Sequence, residues 1–375
     1  MPMPIDFKAL ANPAVRNLLA YDPGHDIPAL RKDFAGSGGL LELGSNENCY
    51  GPSPNIKPGL QEELDCLFRY PDPAGKALKL AISEKLGVST DCIALGNGSH
   101  ELLMQLAQVF AGPEDEVLVS RYCFAVYPIA PNASGAHLVV AEANPLAHEM
   151  PLGHDLDAML SGITAKTKMI CFANPNNPTG TWFSFDRLAC FLAAVPKNVL
   201  VVVDEAYLEY ATVPEIRSAL ALLGDHPNLV VTRTFSKAYG LAGVRAGFAV
   251  AHRDVISIME PIRESFNLNA IALHAARIAL SDEAHLAKVS ADNAIERDWM
   301  TERLKALNVD VLPSQTNFVL ACFGERTDAI ESALFVRGVM VRPMKGYGLG
   351  DYLRITVASR AENRRFIDTL GQVMA

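Results

Sequence analysis

Short apolar runs recur through the middle of the chain and alternate with segments of helical periodicity. Seven runs are predicted to be strands, at 92–95, 116–120, 137–141, 168–173, 199–203, 229–233 and 247–251. Most of them are apolar at consecutive positions, which is typical of strands covered on both faces. Helices are predicted at 76–86, 99–110, 185–194 and 215–223. This alternation predicts an α/β fold with a mostly parallel sheet and helices on both of its faces.

The pattern changes in the last third of the chain. A helical stretch is predicted from about 261 to about 307, with a break near Ser281 and Asp282. The segments after it are predicted as strands at 309–312, 317–322, 339–342 and 352–357 and as helices at 328–337 and 361–373. This order predicts a second, smaller α+β domain.

These patterns divide the chain into three parts. Residues 1–42 are predicted to form an N-terminal arm that packs with the small domain, with a short helix at 12–20 that ends at the turn 21–24. Residues 43–265 are predicted to form the large domain and 266–375 the small domain. The boundary near 265 is expected to fall inside a helix.

Composition narrows the classes of partner and compartment. The 375 residues carry a net charge of −9, which argues against nucleic acid or an anionic membrane as the main partner. No apolar run approaches the length of a membrane span, and the first residues lack the pattern of a signal peptide. The cysteines are scattered without a CxxC or Cys/His cluster, so neither a metal site nor a disulfide framework is expected. We therefore expect a cytoplasmic protein with reduced thiols.

Polar loops follow three of the predicted strands. Asn177 lies after the strand that ends at 173, Asp204 and Tyr207 lie after the strand that ends at 203, and Ser236 and Lys237 follow the strand that ends near 233. Each residue taken alone has an ordinary explanation as a turn, a helix cap or a surface lysine. Because the carboxyl ends of parallel strands meet at one sheet edge, their joint arrival favours a ligand site there.

The segment from 232 to 247 supplies the most reactive candidate. Lys237 lies among apolar neighbours, which lower the pKa of a lysine and free its amine for reaction with a carbonyl group. Ser236 and Arg245 offer a hydroxyl group and a guanidinium group, which suit a phosphate. Gly98 and Ser99 open a predicted helix whose N-terminus is a second candidate anion site, with Ser99 as the expected N-cap.

The motifs that contain these residues, which extend over nearly the whole chain, resemble those of a known family. The motifs are YDPG at 21–24, SNEN at 45–48, YGPSP at 50–54, RYPDP at 69–73, GNGS at 96–99, NPNNPTG at 174–180, DEAY at 204–207, TFSKAYGLAGVRAG at 234–247 and YLRIT at 352–356. They are similar to those of fold-type I pyridoxal-phosphate (PLP) aminotransferases, and among these to the histidinol-phosphate aminotransferase family. The resemblance implies a seven-stranded sheet, the cofactor pyridoxal 5'-phosphate and a homodimer with a shared active site.

The resemblance also implies a role for each candidate residue. Asp204 would keep the ring nitrogen of the cofactor protonated, and Asn177 and Tyr207 would bind its phenolic oxygen. Lys237 would hold the cofactor covalently and carry the proton of the reaction. Phe124 would stack on the cofactor ring.

Phosphate and substrate contacts follow from the same resemblance. The residues implied for the cofactor phosphate are Gly98, Ser99, His100, Ser236 and Arg245, with Tyr70 reaching it from the partner subunit. Those implied for the substrate are Tyr21, Asn46, Asn177, Arg342 and Arg354. Arg342 and Arg354 are the candidates for recognising a phosphate where other aminotransferases bind a carboxylate.

The resulting functional prediction is transamination between histidinol phosphate and 2-oxoglutarate, a step of histidine biosynthesis. A broad aromatic aminotransferase is the nearest alternative, because one pocket can accept imidazole or phenyl rings. A threonine-phosphate decarboxylase is a more distant alternative that would lose CO2 instead of a proton. A PLP-binding regulator without turnover would carry a DNA-binding segment, for which a two-domain enzyme of this length leaves no room.

Overall fold

The structure is a computed structural model that describes residues 5–16, 18, 26–35 and 39–375. The predicted helix at 12–20 falls partly outside this range, and its described part forms only a 3₁₀ helix at Pro13–Val15. The arm contacts both parts of the molecule. Ala14 approaches the turn at Gly135, and Phe34 lies edge-on to Phe335, with 5.8 Å between the ring centroids.

The strands of the described residues are short and fall into three sheets. In chain order they are β1 (Leu41–Glu42), β2 (Ile93–Gly96), β3 (Glu116–Ser120), β4 (His137–Ala141), β5 (Thr167–Ala173), β6 (Leu200–Asp204), β7 (Leu229–Thr234), β8 (Gly247–Ala251), β9 (Asp310–Val311), β10 (Phe318–Cys322), β11 (Val339–Met340), β12 (Arg342–Pro343) and β13 (Tyr352–Thr356).

The α-helices of the same residues are, in chain order, α1 (Phe7–Leu10), α2 (Ile27–Asp33), α3 (Ile56–Gly59), α4 (Gln61–Asp65), α5 (Lys76–Leu86), α6 (Ser99–Phe110), α7 (Val126–Ser134), α8 (Leu156–Ser161), α9 (Phe185–Ala194), α10 (Arg253–Met259), α11 (Ala270–Ser281), α12 (Glu283–Ala306), α13 (Thr327–Val336) and α14 (Arg360–Met374). Within the described part of the chain, no helix is both long enough and apolar enough to cross a membrane.

The largest sheet confirms the predicted fold class. Its seven strands run in the order β2-β8-β7-β6-β5-β3-β4, and only β8 is antiparallel to its neighbours. Alternate residues of β6 face opposite sides, so Val202 packs with α6 and α7 while Val201 packs with α9. This two-sided burial explains why the strands are apolar at consecutive positions.

A four-stranded antiparallel sheet, in the order β12-β13-β10-β9, forms a second layer with α12, α13 and α14. The short strand β1 pairs in parallel with β11, and Leu41 and Leu43 pack in this smaller core. The loop after β1 then crosses to the large sheet. The division into domains at 42 and 265 stays a prediction.

Three sequence predictions are wrong in detail. The segment 263–269 is not helical, because Phe266 has a left-handed φ of 59° and Asn269 caps a new helix, α11. The position of the predicted boundary, 265, therefore lies outside any helix. The predicted helix at 215–223 is reduced to a 3₁₀ helix at Ala219–Leu222, whose first turn is tied to the Glu205 carboxylate. The predicted strand at 339–342 is split into β11 and β12.

Candidate active site

A cavity of about 240 Å³ lies at the carboxyl ends of β5, β6 and β7. Its walls include the last residue of each strand, Ala173, Asp204 and Thr234. The other lining residues are Ser45, Asn46, Ser99, His100, Phe124, Tyr127, Asn177, Ala206, Tyr207, Ser236, Lys237, Arg245 and Arg354. The polar loops predicted to meet at one sheet edge therefore do meet there.

Asp204 is a buried carboxylate with one oxygen left open. Its Oδ2 accepts a hydrogen bond from the Tyr127 hydroxyl at 2.8 Å, whereas Oδ1 has no donor among the described residues. Burial raises the pKa of Asp204 to about 6, and the Tyr127 hydrogen bond opposes that rise. A buried oxygen of this kind is a site for an N–H group of a ligand, because leaving it unpaired is costly.

Lys237 lies in the same cavity. Its Nζ donates to the main-chain oxygens of Ser45 and Asn46, both at 3.2 Å, and lies 5.7 Å from the centre of the Tyr207 ring. Burial, followed by the nearby charges of Arg354 and Arg245, lowers the pKa of Lys237 to about 8. A substantial fraction of this amine is therefore neutral and nucleophilic near physiological pH.

Two hydrogen bonds fix the polar groups beside Lys237. Asn46 Nδ2 donates to the Tyr207 hydroxyl at 3.0 Å, and Arg354 Nη1 donates to Asn177 Oδ1 at 2.6 Å. Because the guanidinium occupies its oxygen, the Asn177 amide presents Nδ2 as a donor. Arg354 is itself held by a bond from Nη2 to the main-chain oxygen of Gly44 at 2.7 Å.

An anion cradle lies at the start of α6. The expected N-cap, Ser99, is instead the first helical residue, because Gly98 takes the cap position with a φ of +83°. A Cβ at Gly98 would lie 2.6 Å from Arg245 Nη2, and one at Gly247 would lie 2.5 Å from the Ser99 nitrogen. Glycine therefore keeps open the space between the helix N–H groups and the guanidinium.

Side chains complete the cradle and one wall of the cavity. Arg245 Nη1 donates to Ser236 Oγ at 3.3 Å, which places a cation and a hydroxyl group together. Burial and then Arg245 lower the pKa of His100, so this imidazole stays neutral at pH 7. Phe124 forms an apolar wall and meets Tyr127 edge-on, at 5.7 Å between centroids and 87° between planes.

Two predicted site residues lie outside the cavity. Tyr70 is 82% exposed and stacks on Phe266, with 4.5 Å between ring centroids, outside the cavity. Arg342 does not line the cavity, although it pairs directly with Arg354 across β12 and β13. Tyr21 lies outside the described residues.

Sequence reasoning missed Tyr127, which contacts Asp204 directly. The signal in the sequence is the position of Tyr127 three residues after Phe124, which is about one helical turn. In the structure, the Tyr127 N–H donates to the Phe124 carbonyl at 2.9 Å. An aromatic pair at this spacing can place both rings on one wall.

Comparisons with known proteins agree with this geometry. A family model described as aminotransferase class I and II matches residues 39–370. The chain is 44% identical over 370 residues to histidinol-phosphate aminotransferase 1 of Nitrosococcus oceani, and the match covers 98% of both chains. It is 42% identical over 368 residues to the protein of that name from Thiobacillus denitrificans, covering 98% of this chain and 94% of the other.

A solved structure shares the whole fold. The crystal structure of histidinol-phosphate aminotransferase from Sinorhizobium meliloti in complex with pyridoxal-5'-phosphate superposes with a TM-score of 0.85, at 29% identity and 97% coverage of both chains. The fold and the site therefore define a class I and II aminotransferase, as the family model indicates. Within that class, the chain belongs to the histidinol-phosphate aminotransferase family. The resemblance predicted from the motifs is confirmed.

The lowered pKa of Lys237 has a direct chemical consequence. In the protein freed of bound ligand, labelling of Lys237 by a small amine-reactive reagent should reach half its maximum near pH 8, where the amine loses its proton. An ordinary lysine titrates about two pH units higher. Pulse labelling from pH 6 to 11, read by peptide mass spectrometry, measures the midpoint. A midpoint above pH 10 would contradict the electrostatic account of this amine.

Proposed function

We propose that this chain is a PLP-dependent aminotransferase that transfers an amino group between histidinol phosphate and 2-oxoglutarate, as a step of histidine biosynthesis. The observation that carries the proposal is the presence, in one cavity of about 240 Å³, of a carboxylate with an open oxygen and a lysine of lowered pKa. Relatives of the same family support the choice of reaction.

The groups around the cavity match those of pyridoxal 5'-phosphate. Asp204 Oδ1 suits the ring nitrogen, and the Tyr207 hydroxyl and Asn177 Nδ2 suit the phenolic oxygen. Phe124 offers an apolar surface to the ring face, and the cradle between Gly98 and Arg245 suits the phosphate. When bound, this cofactor supplies an electron-withdrawing ring that stabilises negative charge on the substrate carbon.

Each residue then has a physical task. Asp204 would keep the ring nitrogen protonated through charge pairing inside a buried site. Lys237 would hold the cofactor aldehyde covalently, and its free amine would move the proton at the substrate carbon. Tyr207 and Asn177 stabilise negative charge on the phenolic oxygen, and Asn46 orients the Tyr207 hydroxyl.

Substrate choice is assigned to two arginines. Arg354 lines the cavity, and Arg342 is its cross-strand partner, so the two cations lie on the same face of the small sheet. Two guanidinium groups suit a phosphate that carries up to two negative charges, whereas a carboxylate needs only one of them. Asn46 and Tyr21 are proposed to complete the substrate contacts.

A homodimer with a shared site is part of the proposal. Leu67, Phe68 and Tyr70 are 58%, 76% and 82% exposed, and so much apolar surface on one segment suits a protein interface. Tyr70 would reach the cofactor phosphate of the partner subunit. The acidic composition and the seven free cysteines support a cytoplasmic location without nucleic acid as a partner.

The assignment of substrate is tested by kinetics. Wild-type enzyme should turn over histidinol phosphate with a higher kcat/KM than phenylalanine, tyrosine or threonine phosphate. Arg342→Ala should lower kcat/KM for histidinol phosphate by roughly ten- to a hundredfold more than for phenylalanine, because one charged hydrogen bond is worth about 1.5–3 kcal/mol. Arg354→Ala should lower kcat/KM for both substrates. If Arg342→Ala lowers kcat/KM equally for histidinol phosphate and phenylalanine, the aromatic aminotransferase is favoured. Release of CO2 from threonine phosphate would favour the decarboxylase.

The shared site is tested by mixing two defective subunits. Lys237→Ala and Tyr70→Ala homodimers should each have low activity at limiting cofactor. In the mixed dimer, one site combines an intact Lys237 with an intact Tyr70 from the other subunit, so activity should rise above both parents after subunit exchange. If Tyr70 served its own subunit, neither mixed site would hold both residues. Activity that stays at the parental average would therefore exclude a shared site.

A further inference from the structure

Tyr127 is a buried phenol that the reaction scheme above leaves without a role. It is the second residue of α7, its side chain is 1% exposed, and it lines the cavity. Its hydroxyl donates to Asp204 Oδ2 at 2.8 Å, and its ring meets Phe124 edge-on. Tyr127 therefore contacts both residues that flank the proposed position of the cofactor ring.

The hydrogen bond distinguishes the two oxygens of one carboxylate. Asp204 is the last residue of β6, and without a partner its carboxyl group could rotate between orientations. Tyr127 binds Oδ2, while Oδ1 has no donor in the described part of the chain. The phenol thereby leaves one oxygen available to a ligand and restricts the direction in which that oxygen points.

The same bond favours the ionised carboxylate. Burial and then the adjacent Asp204 hold the pKa of Tyr127 well above its ordinary value, so the phenol remains a donor throughout the accessible pH range. A donor to the charged form of an acid stabilises that form. The bond therefore counteracts the effect of burial, which alone would favour a neutral Asp204.

Other titratable groups near Asp204 do not replace this effect. Burial raises the pKa of Cys123 on the α7 side to about 12, and it also raises the pKa values of Cys171 on β5 and of Tyr207, so all three are neutral at pH 7. The adjacent Glu205 side chain pairs with Arg233 at 2.8 Å. Tyr127 is the first of the groups that oppose the effect of burial on the Asp204 pKa, ahead of the Thr232 side chain and the Ala206 N–H, and it donates to the carboxylate at 2.8 Å.

We propose that Tyr127 is a positioning residue for the reaction: it holds Asp204 Oδ2 so that the ionised Oδ1 is presented to the ring nitrogen of the cofactor. The inference rests on the proposed function, because it assumes that a protonated ring nitrogen is what Asp204 binds. It assigns Tyr127 no contact with the substrate and no proton transfer.

The test is Tyr127→Phe in the holoenzyme, which removes the hydroxyl group and keeps the ring. The acid limb of the kcat–pH profile should move about one pH unit higher, because one hydrogen bond to the carboxylate is lost. On that limb kcat should fall by about tenfold with little change in KM, and the loss at pH 7 should be smaller. In enzyme loaded with ¹⁵N-labelled PLP, the ring-nitrogen NMR signal should lose part of its protonated character.

Tyr210→Phe is the matched control. Tyr210 is also 1% exposed, but its hydroxyl has no hydrogen-bond partner in the described structure. The same chemical change there should leave the pH profile and the ¹⁵N signal unchanged. A shift of equal size in Tyr210→Phe would overturn the assignment to Tyr127.

A second variant covers the case in which Tyr127→Phe folds poorly. Site-specific replacement of Tyr127 by a ring-fluorinated tyrosine makes the phenol a stronger donor, so the acid limb should move to lower pH. A merely structural role would change the melting temperature and leave both the acid limb and the ¹⁵N signal in place, and that result would overturn the proposal.

Asp204→Asn separates this inference from the proposed function. If Asp204→Asn changes the ¹⁵N signal and Tyr127→Phe does not, the function stands and the role of Tyr127 is refuted. If Asp204→Asn leaves the ¹⁵N signal and the turnover unchanged, Asp204 does not serve the ring nitrogen, and both claims fail.

Discussion

The site depends on a carboxylate buried at the end of the central strand of the sheet. Asp204 is 3% exposed and ends β6, the fourth of seven strands, where loops converge from both sides. Removing a carboxylate from water is costly unless it is hydrogen-bonded or paired. The fold supplies one partner, Tyr127, and leaves the other oxygen for a ligand. The ring nitrogen of the proposed cofactor would pair with the open oxygen of Asp204. Cofactor binding would then itself compensate the cost of burying the carboxylate.

The opposite end of the cavity joins the seven-stranded sheet to the four-stranded sheet. Asn46 bonds through its main-chain N–H to Thr356 Oγ1 on β13 at 3.0 Å and through its side chain to Tyr207 after β6. Its carbonyl accepts from Lys237 and from Asn317 of the small layer. The lysine environment therefore depends on both layers, and a displacement between them would change the burial that lowers the pKa of the amine.

The local pattern of apolar and polar residues is sufficient to predict the bounds of elements whose burial follows one period along their whole length. The strand at 247–251 and the helices at 76–86 and 185–194 were predicted with the bounds that the structure has, because their apolar positions match one period. The loops that carry Asn177, Asp204 and Lys237 could be assigned to one edge because parallel strands share a direction. Motif resemblance then supplied the chemistry that spacing alone left open.

Long-range contacts explain what the sequence concealed. The segment 215–223 looked helical, but the Glu205 carboxylate binds Ser218 and the Ala219 N–H from a different strand end. The spacing of Tyr127 from Phe124 indicates at most a shared wall, since the role of Tyr127 comes from Asp204, which lies 77 positions away. The place of Arg342 likewise follows from its pairing with β13 rather than from its own neighbours.

The central claim, that Lys237 and Asp204 bind one cofactor between them, is tested most directly by covalent trapping. Sodium borohydride converts a link between the cofactor aldehyde and a lysine amine into a stable secondary amine, which peptide mass spectrometry can locate. The account predicts a single modified site, at Lys237, that is lost in Lys237→Ala and retained when the exposed Lys168 is replaced by alanine. A modified site on another lysine, or one that persists in Lys237→Ala, would contradict it.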